Sequence, residues 1–99
     1  MKFTYKSGAL SQVRGITRLC CTVKDVGNLS VFYGLYEIKL DSRKIFAVSV
    51  SDSSEFRLCT LEDKGTISEL YKLISENGVD TASFDGVLDD FMYSFNNIL

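Results

Sequence analysis

Ninety-nine residues, 45% of them hydrophobic and twelve of them Phe or Tyr, make one domain with a sizeable core rather than a disordered chain. The net charge of −2, with 11 basic and 13 acidic residues, lacks the basic excess of a nucleic-acid binder. Histidine is absent, which removes the commonest general base and metal ligand and rules out any Ser-His-Asp or Cys-His arrangement.

The first segment, Phe3-Thr4-Tyr5-Lys6, alternates and is aromatic, so a short edge strand is expected over about 2–6. Its mix of base and aromatic matches a nucleic-acid-facing strand in composition only. No apolar run of signal-peptide length follows Lys2, and no stretch approaches the ~18 apolar residues of a membrane span. A cytoplasmic protein is expected, without a membrane or nucleic-acid partner. Charge does lean along the chain. Lys2, Lys6, Arg14, Arg18 and Lys24 share residues 2 to 24 with no acid, and Glu76, Asp80, Asp85, Asp89 and Asp90 share residues 76 to 90 with no base. A solvated face at each end explains this better than a partner surface.

Gly27-Asn28 between two apolar-rich runs marks a tight hairpin, since both residues tolerate positive φ. Strands are expected over about 16–26 and 29–40. Counting outward pairs Val26 with Leu29, Val23 with Phe32, Cys21 with Gly34, Leu19 with Tyr36 and Thr17 with Ile38. It also places Arg18 opposite Glu37 as a cross-strand ion pair. Gly15 suggests a bulge near the start of the first run. Two polar turns, Asp41-Ser42-Arg43-Lys44 and Asp52-Ser53-Ser54, then bound strands over about 45–51 and 55–61. An odd loop of three or five residues would bring Ile38 to the face of Phe46, Val48 and Val50, and pairing Val50 with Phe56 and Val48 with Leu58 would continue it. The expected helix-covered face is therefore Leu19, Cys21, Val23, Phe32, Tyr36, Ile38, Phe46, Val48, Val50, Phe56 and Leu58.

Beyond residue 61 the apolar period changes from two to near 3.6. Thr66-Ile67-Ser68-Glu69 has capping-box form, and Ile67, Leu70, Tyr71 and Ile74 make a stripe, so a helix is expected over about 67–77 with Asn77-Gly78 as its stop. Ser83 would cap a second helix over about 84–97, with Phe84, Val87, Leu88, Phe91, Phe95 and Ile98 on one face. The fold class is α+β: a single domain, 1–99, with an antiparallel meander of four or five strands followed by two C-terminal helices packed on one face.

On this register the second sheet face carries Tyr33, Leu35, Ile45, Ala47, Cys59 and Leu61, together with Cys20. Arg18, Glu37 and Arg57 stand beside them, but the face is not cleanly polar and suggests burial under the N-terminal segment or against a second subunit, with these six residues as the candidate interface. Tyr36, Phe46 and Tyr71 are the candidate lining of a pocket between helices and sheet. The three cysteines lack CxxC spacing, which speaks against structural zinc and a redox pair, and reduced, buried thiols are expected. Adjacent on a strand, Cys20 and Cys21 point to opposite faces and serve packing better than chemistry. Asp85, Asp89 and Asp90 fit a solvated helix face better than a divalent-metal site. No cofactor is expected.

Tyr33-Gly34-Leu35, Val48-Ser49-Val50-Ser51-Asp52, Gly78-Val79-Asp80-Thr81 and Val87-Leu88-Asp89-Asp90-Phe91 together resemble a family of short uncharacterised proteins, a domain of unknown function, from clostridia-like Firmicutes. The likeness spans roughly residues 30 to 95. The family commonly places a Pro and a His ahead of the last helix, where this chain has Ala82-Ser83-Phe84. The resemblance implies a fold and a bacterial source but no activity. The expected role is a non-enzymatic interaction module that homodimerises through its sheet or binds another protein. A small-ligand-binding or sensing protein is the alternative.

Overall fold

A computed structural model describes residues 13–98 of the chain, with side chains through Tyr93. The expected strand over 2–6 lies outside the described residues. Four strands, β1 (Val13–Val26), β2 (Leu29–Leu40), β3 (Lys44–Ser51) and β4 (Phe56–Leu61), form an antiparallel meander in the order β1-β2-β3-β4. Two helices follow, α1 (Lys64–Glu76) and α2 (Thr81–Ile98), and pack on one side of the sheet. This is the α+β architecture that the change of apolar period announces.

Gly27, at φ 63°, turns β1 into β2, and the pairing runs as counted from Val26 with Leu29 back to Cys20 with Leu35. There the ladder slips. A bulge at Leu19 inserts one residue, so Arg18 faces Tyr36, Thr17 faces Glu37 and Ile16 faces Ile38. The expected Arg18–Glu37 pair is not formed; the nearest cation to Glu37 is Lys44 Nζ at 3.9 Å. A second irregularity falls at Arg14, next to Gly15.

The other two hairpins are as tight as the first. Leu40 N donates to Arg43 O at 2.8 Å across Asp41-Ser42, and Asp52 N donates to Glu55 O at 3.0 Å across Ser53-Ser54. Neither turn uses positive φ. At the second, the Asp52 carboxylate accepts from Ser54 N and Glu55 N, both at 2.8 Å, and so stands in for the missing glycine. A two-residue tip pairs odd positions with even ones. Ile38 consequently faces Ile45, and Ser51 faces Phe56, each one residue from the expected register.

One slipped residue reverses a strand's faces. Phe46, Val48 and Val50 do lie under the helices, as expected, but their companions are Val31, Tyr33, Leu35, Cys59 and Leu61. Cys21, Val23, Phe32, Tyr36, Ile38, Phe56 and Leu58 occupy the opposite face. Ile67, Leu70 and Ile74 from α1, Val79 from the connection, and Phe84 and Leu88 from α2 complete the core. Tyr33 Oη crosses that core to donate to Val79 O at 2.8 Å, and burial, with Asp80 nearby, pushes its pKa up.

The caps start both helices earlier than expected. Asp63, not Thr66, caps α1, accepting from Thr66 N at 2.8 Å and from the Thr66 hydroxyl at 2.5 Å. Asp80, not Ser83, caps α2, accepting from Ser83 N at 2.8 Å. The C-terminal stop of α1 is as read: Gly78 takes φ 62° and Val79 N donates to Ile74 O at 3.0 Å, a Schellman closure. A Cβ on Gly78 would also lie 3.4 Å from Val26 Cγ2, so the stop rests against the first hairpin. The Thr81 hydroxyl lies 3.0 Å from Asp52 Oδ2 and 2.9 Å from Glu55 Oε2, which ties the β3–β4 turn to the first turn of α2.

Two outcomes follow from these contacts. Gly78→Ala should lower unfolding free energy by about 1–2 kcal/mol in urea titration, the cost of a side chain in the left-handed region. Acid should weaken the turn and the α1 cap. Hydrogen bonds from Ser54 N and Glu55 N hold the Asp52 carboxyl at about 2, and those from Thr66 lower Asp63. Both folded-state values lie below the unfolded one, so their contribution is complete above the ordinary carboxylate range and fades as pH falls toward 2. The urea midpoint of Asp52→Asn should fall less between pH 5 and 2 than that of the parent chain.

Candidate functional site

The open face of the sheet is built row by row. The register aligns Ile16, Ile38 and Ile45 in one row, and Arg18, Tyr36, Ala47 and Thr60 in the next. Cys21, Gly34, Ser49 and Leu58 make the third row; Val23, Phe32, Ser51 and Phe56 make the fourth. Arg18 is the single charged residue in those four rows. Val23 is 63% exposed, Phe56 60% and Ile16 64%, all at the ends of the face, whereas Ile38, Ala47 and Ser49 between them are buried. The Tyr36 ring folds along its own strand over Gly34, where an added Cβ would meet Cε2 and Cζ at 2.7 Å. Its hydroxyl reaches Ser49 Oγ at 3.5 Å. The centre of the face is thus shallow and small-residued, with large apolar side chains at both ends.

Of the six residues expected at an interface, Ile45 and Ala47 lie on this face. Tyr33, Leu35 and Cys59 are buried beneath the helices and Leu61 packs at the margin of that core. Their removal from the open face is a correction, and its cause is the two-residue tips of the second and third hairpins. The face itself stays poor in charge because β2 is apolar on both sides, so reversing β2 exchanges one apolar set for another.

The three residues expected to line one pocket are separated as well. Tyr36 is on the open face, Phe46 is in the core, and Tyr71 borders a groove that neither of the other two lines. That groove, of about 520 Å³, lies between β1 and α1, at the flank of the helical layer. Cys20, Thr22 and Lys24 supply one wall, Ser68, Tyr71 and Lys72 much of the other, and Leu35 lies at its base. The Thr22 and Tyr71 hydroxyls meet at 2.8 Å, and Lys24 Nζ donates to Glu76 O at 2.9 Å, so two bonds span strand and helix. Sequence reasoning named Tyr71 but missed the other groove residues; the alternation of Cys20, Thr22 and Lys24 on one side of β1 was the available signal.

Cys20 and Cys21 are exposed rather than buried, on opposite faces of β1, while Cys59 is buried and its thiol is pushed up to about 11 by desolvation. Among the described residues, no group of three or more His, Cys, Asp or Glu is placed to hold a metal ion. No helix among them is long and apolar enough to cross a membrane. No protein-family model, curated protein or solved structure matches the chain.

Proposed function

We propose that the chain is a small cytosolic interaction module, non-enzymatic, that pairs with a second copy of itself through the open face of its sheet. The observation that carries this reading is the composition of that face: four cross-strand rows with Arg18 as their only charge and three apolar side chains more than half exposed. Homodimer interfaces are the apolar, charge-poor class. A face with so little charge has little electrostatic means of selecting a different partner, whereas two copies of one sheet can pack as the halves of a sandwich about a two-fold axis. The exposed thiols of Cys20 and Cys21, divided between two faces, suit a reducing compartment.

Size decides what kind of dimer this is. With strands ~4.8 Å apart and ~3.4 Å per residue, the four rows span about 500 Å² of sheet plane. A standard interface buries about 800 Å² per partner. The association is therefore concentration-dependent rather than obligate.

Sedimentation should show a mass rising from the 11.1 kDa monomer toward twice that value through the micromolar range. Phe56→Asp should hold the chain at monomer mass with unchanged circular dichroism, and Tyr93→Ser, on exposed α2 surface, should not. A monomer at every micromolar concentration would overturn the proposal.

A further inference from the structure

The groove between β1 and α1 is independent of the dimer face, because it lies on the helix side of the sheet. Its chemistry is one-sided. Hydroxyls of Thr22, Tyr71 and Ser68 and the ammonium groups of Lys24 and Lys72 are hydrogen-bond donors, whereas Glu76 is the only carboxylate on its wall. Thr22 and Tyr71 are already fixed against each other, which leaves one of their two O–H donors free, and Lys24 is fixed against the last turn of α1, so these groups are held in place before any ligand arrives. The Lys72 ammonium has no hydrogen bond or ion pair among the described residues, its carbonyl alone accepting from Ser75 Oγ. At the base, Leu35 and the Tyr71 ring give an apolar surface. The volume of about 520 Å³ falls within the range of small-molecule sites.

We propose that this groove binds a small organic anion, its carboxylate or phosphate held by Lys72 and the neighbouring hydroxyls and its apolar body laid on Leu35 and the Tyr71 ring. The negative end of the α1 dipole lies at Glu76, so the anionic group sits toward Ser68 and Lys72, away from that end. Charge then predicts two opposite effects from two exposed positions on the same helix. Lys72→Gln removes the attracting cation, and Glu76→Gln removes the repelling carboxylate. An exposed charge at close range is worth up to about 1 kcal/mol, so each change should move the dissociation constant about two- to fivefold.

The test is amide chemical-shift titration of the full chain with phenyl phosphate, benzoate and benzyl alcohol in parallel. Saturable shifts centred on Thr22, Ser68, Tyr71 and Lys72 are expected with an anion and not with the alcohol, and the tighter of the two anions identifies the ligand class. Binding should weaken in Lys72→Gln and strengthen in Glu76→Gln, both of which change exposed side chains and keep the parent's spectral dispersion. Absence of saturation into the millimolar range would overturn the proposal. So would equal shifts with benzyl alcohol, or affinities indifferent to both substitutions.

Discussion

Three two-residue tips govern this molecule. At Gly27-Asn28, at Asp41-Ser42 and at Ser53-Ser54 the chain reverses in the shortest way a hairpin allows, and each reversal pairs odd positions with even ones. Because side chains alternate with period two, that parity decides for every strand which residues meet the helices and which do not. It puts Tyr33 and Leu35 beside Val48, Val50 and Cys59 under α1 and α2, and leaves Tyr36 and Phe32 with Leu58 and Phe56 on the other side. The caps serve the same arrangement. Asp52 closes the third tip and, through Thr81, holds it against the start of α2, so turn and helix are positioned by one carboxylate.

β2 is apolar on both faces, and the helical layer covers only one of them. In a sheet with a solvated side, alternation to polar residues is expected. β2 instead alternates Val31, Tyr33 and Leu35 with Phe32, Gly34, Tyr36 and Ile38. Such a strand suits a position with packing above and below. The surface opposite the helices and the hydroxyl- and lysine-lined groove at the edge of the helical layer are two chemically different places. The groove exists because α1 sits over β2 and β3 and reaches the helix side of β1 through the Thr22–Tyr71 and Lys24–Glu76 bonds and, at the hairpin end, through Val26.

The bulge at Leu19 has a related consequence. It turns the lower half of β1 by one residue, which moves Arg18 opposite Tyr36 and brings Ile16 into the row of Ile38 and Ile45. Bulges also twist an edge strand and discourage edge-to-edge pairing. β1 is the long edge among the described residues, and Arg14, paired with Asp41, marks its other irregularity.

Much of this was readable from residue order. The strand over 29–40, the hairpin at Gly27-Asn28, the change to helical period after residue 61 and the stop at Gly78 are local signals: a positive φ that glycine tolerates, or a stripe repeating at 3.6. The helix starts were misread because Thr66 and Ser83 have the chemistry of caps, and only geometry shows that Asp63 and Asp80 accept the bonds. The faces were misread for a deeper reason. Asp41-Ser42 and Ser53-Ser54 carry no residue that demands positive φ, so loop length cannot be counted from composition, and a strand apolar on both sides offers no polar residue to correct the count. Sequence by itself determined that one face of this sheet would be packed and the other too apolar to resemble solvent-facing surface. Which residues belong to which face was decided only in the tertiary structure, because parity is set by turn hydrogen bonds that one carboxylate and two backbone amides make.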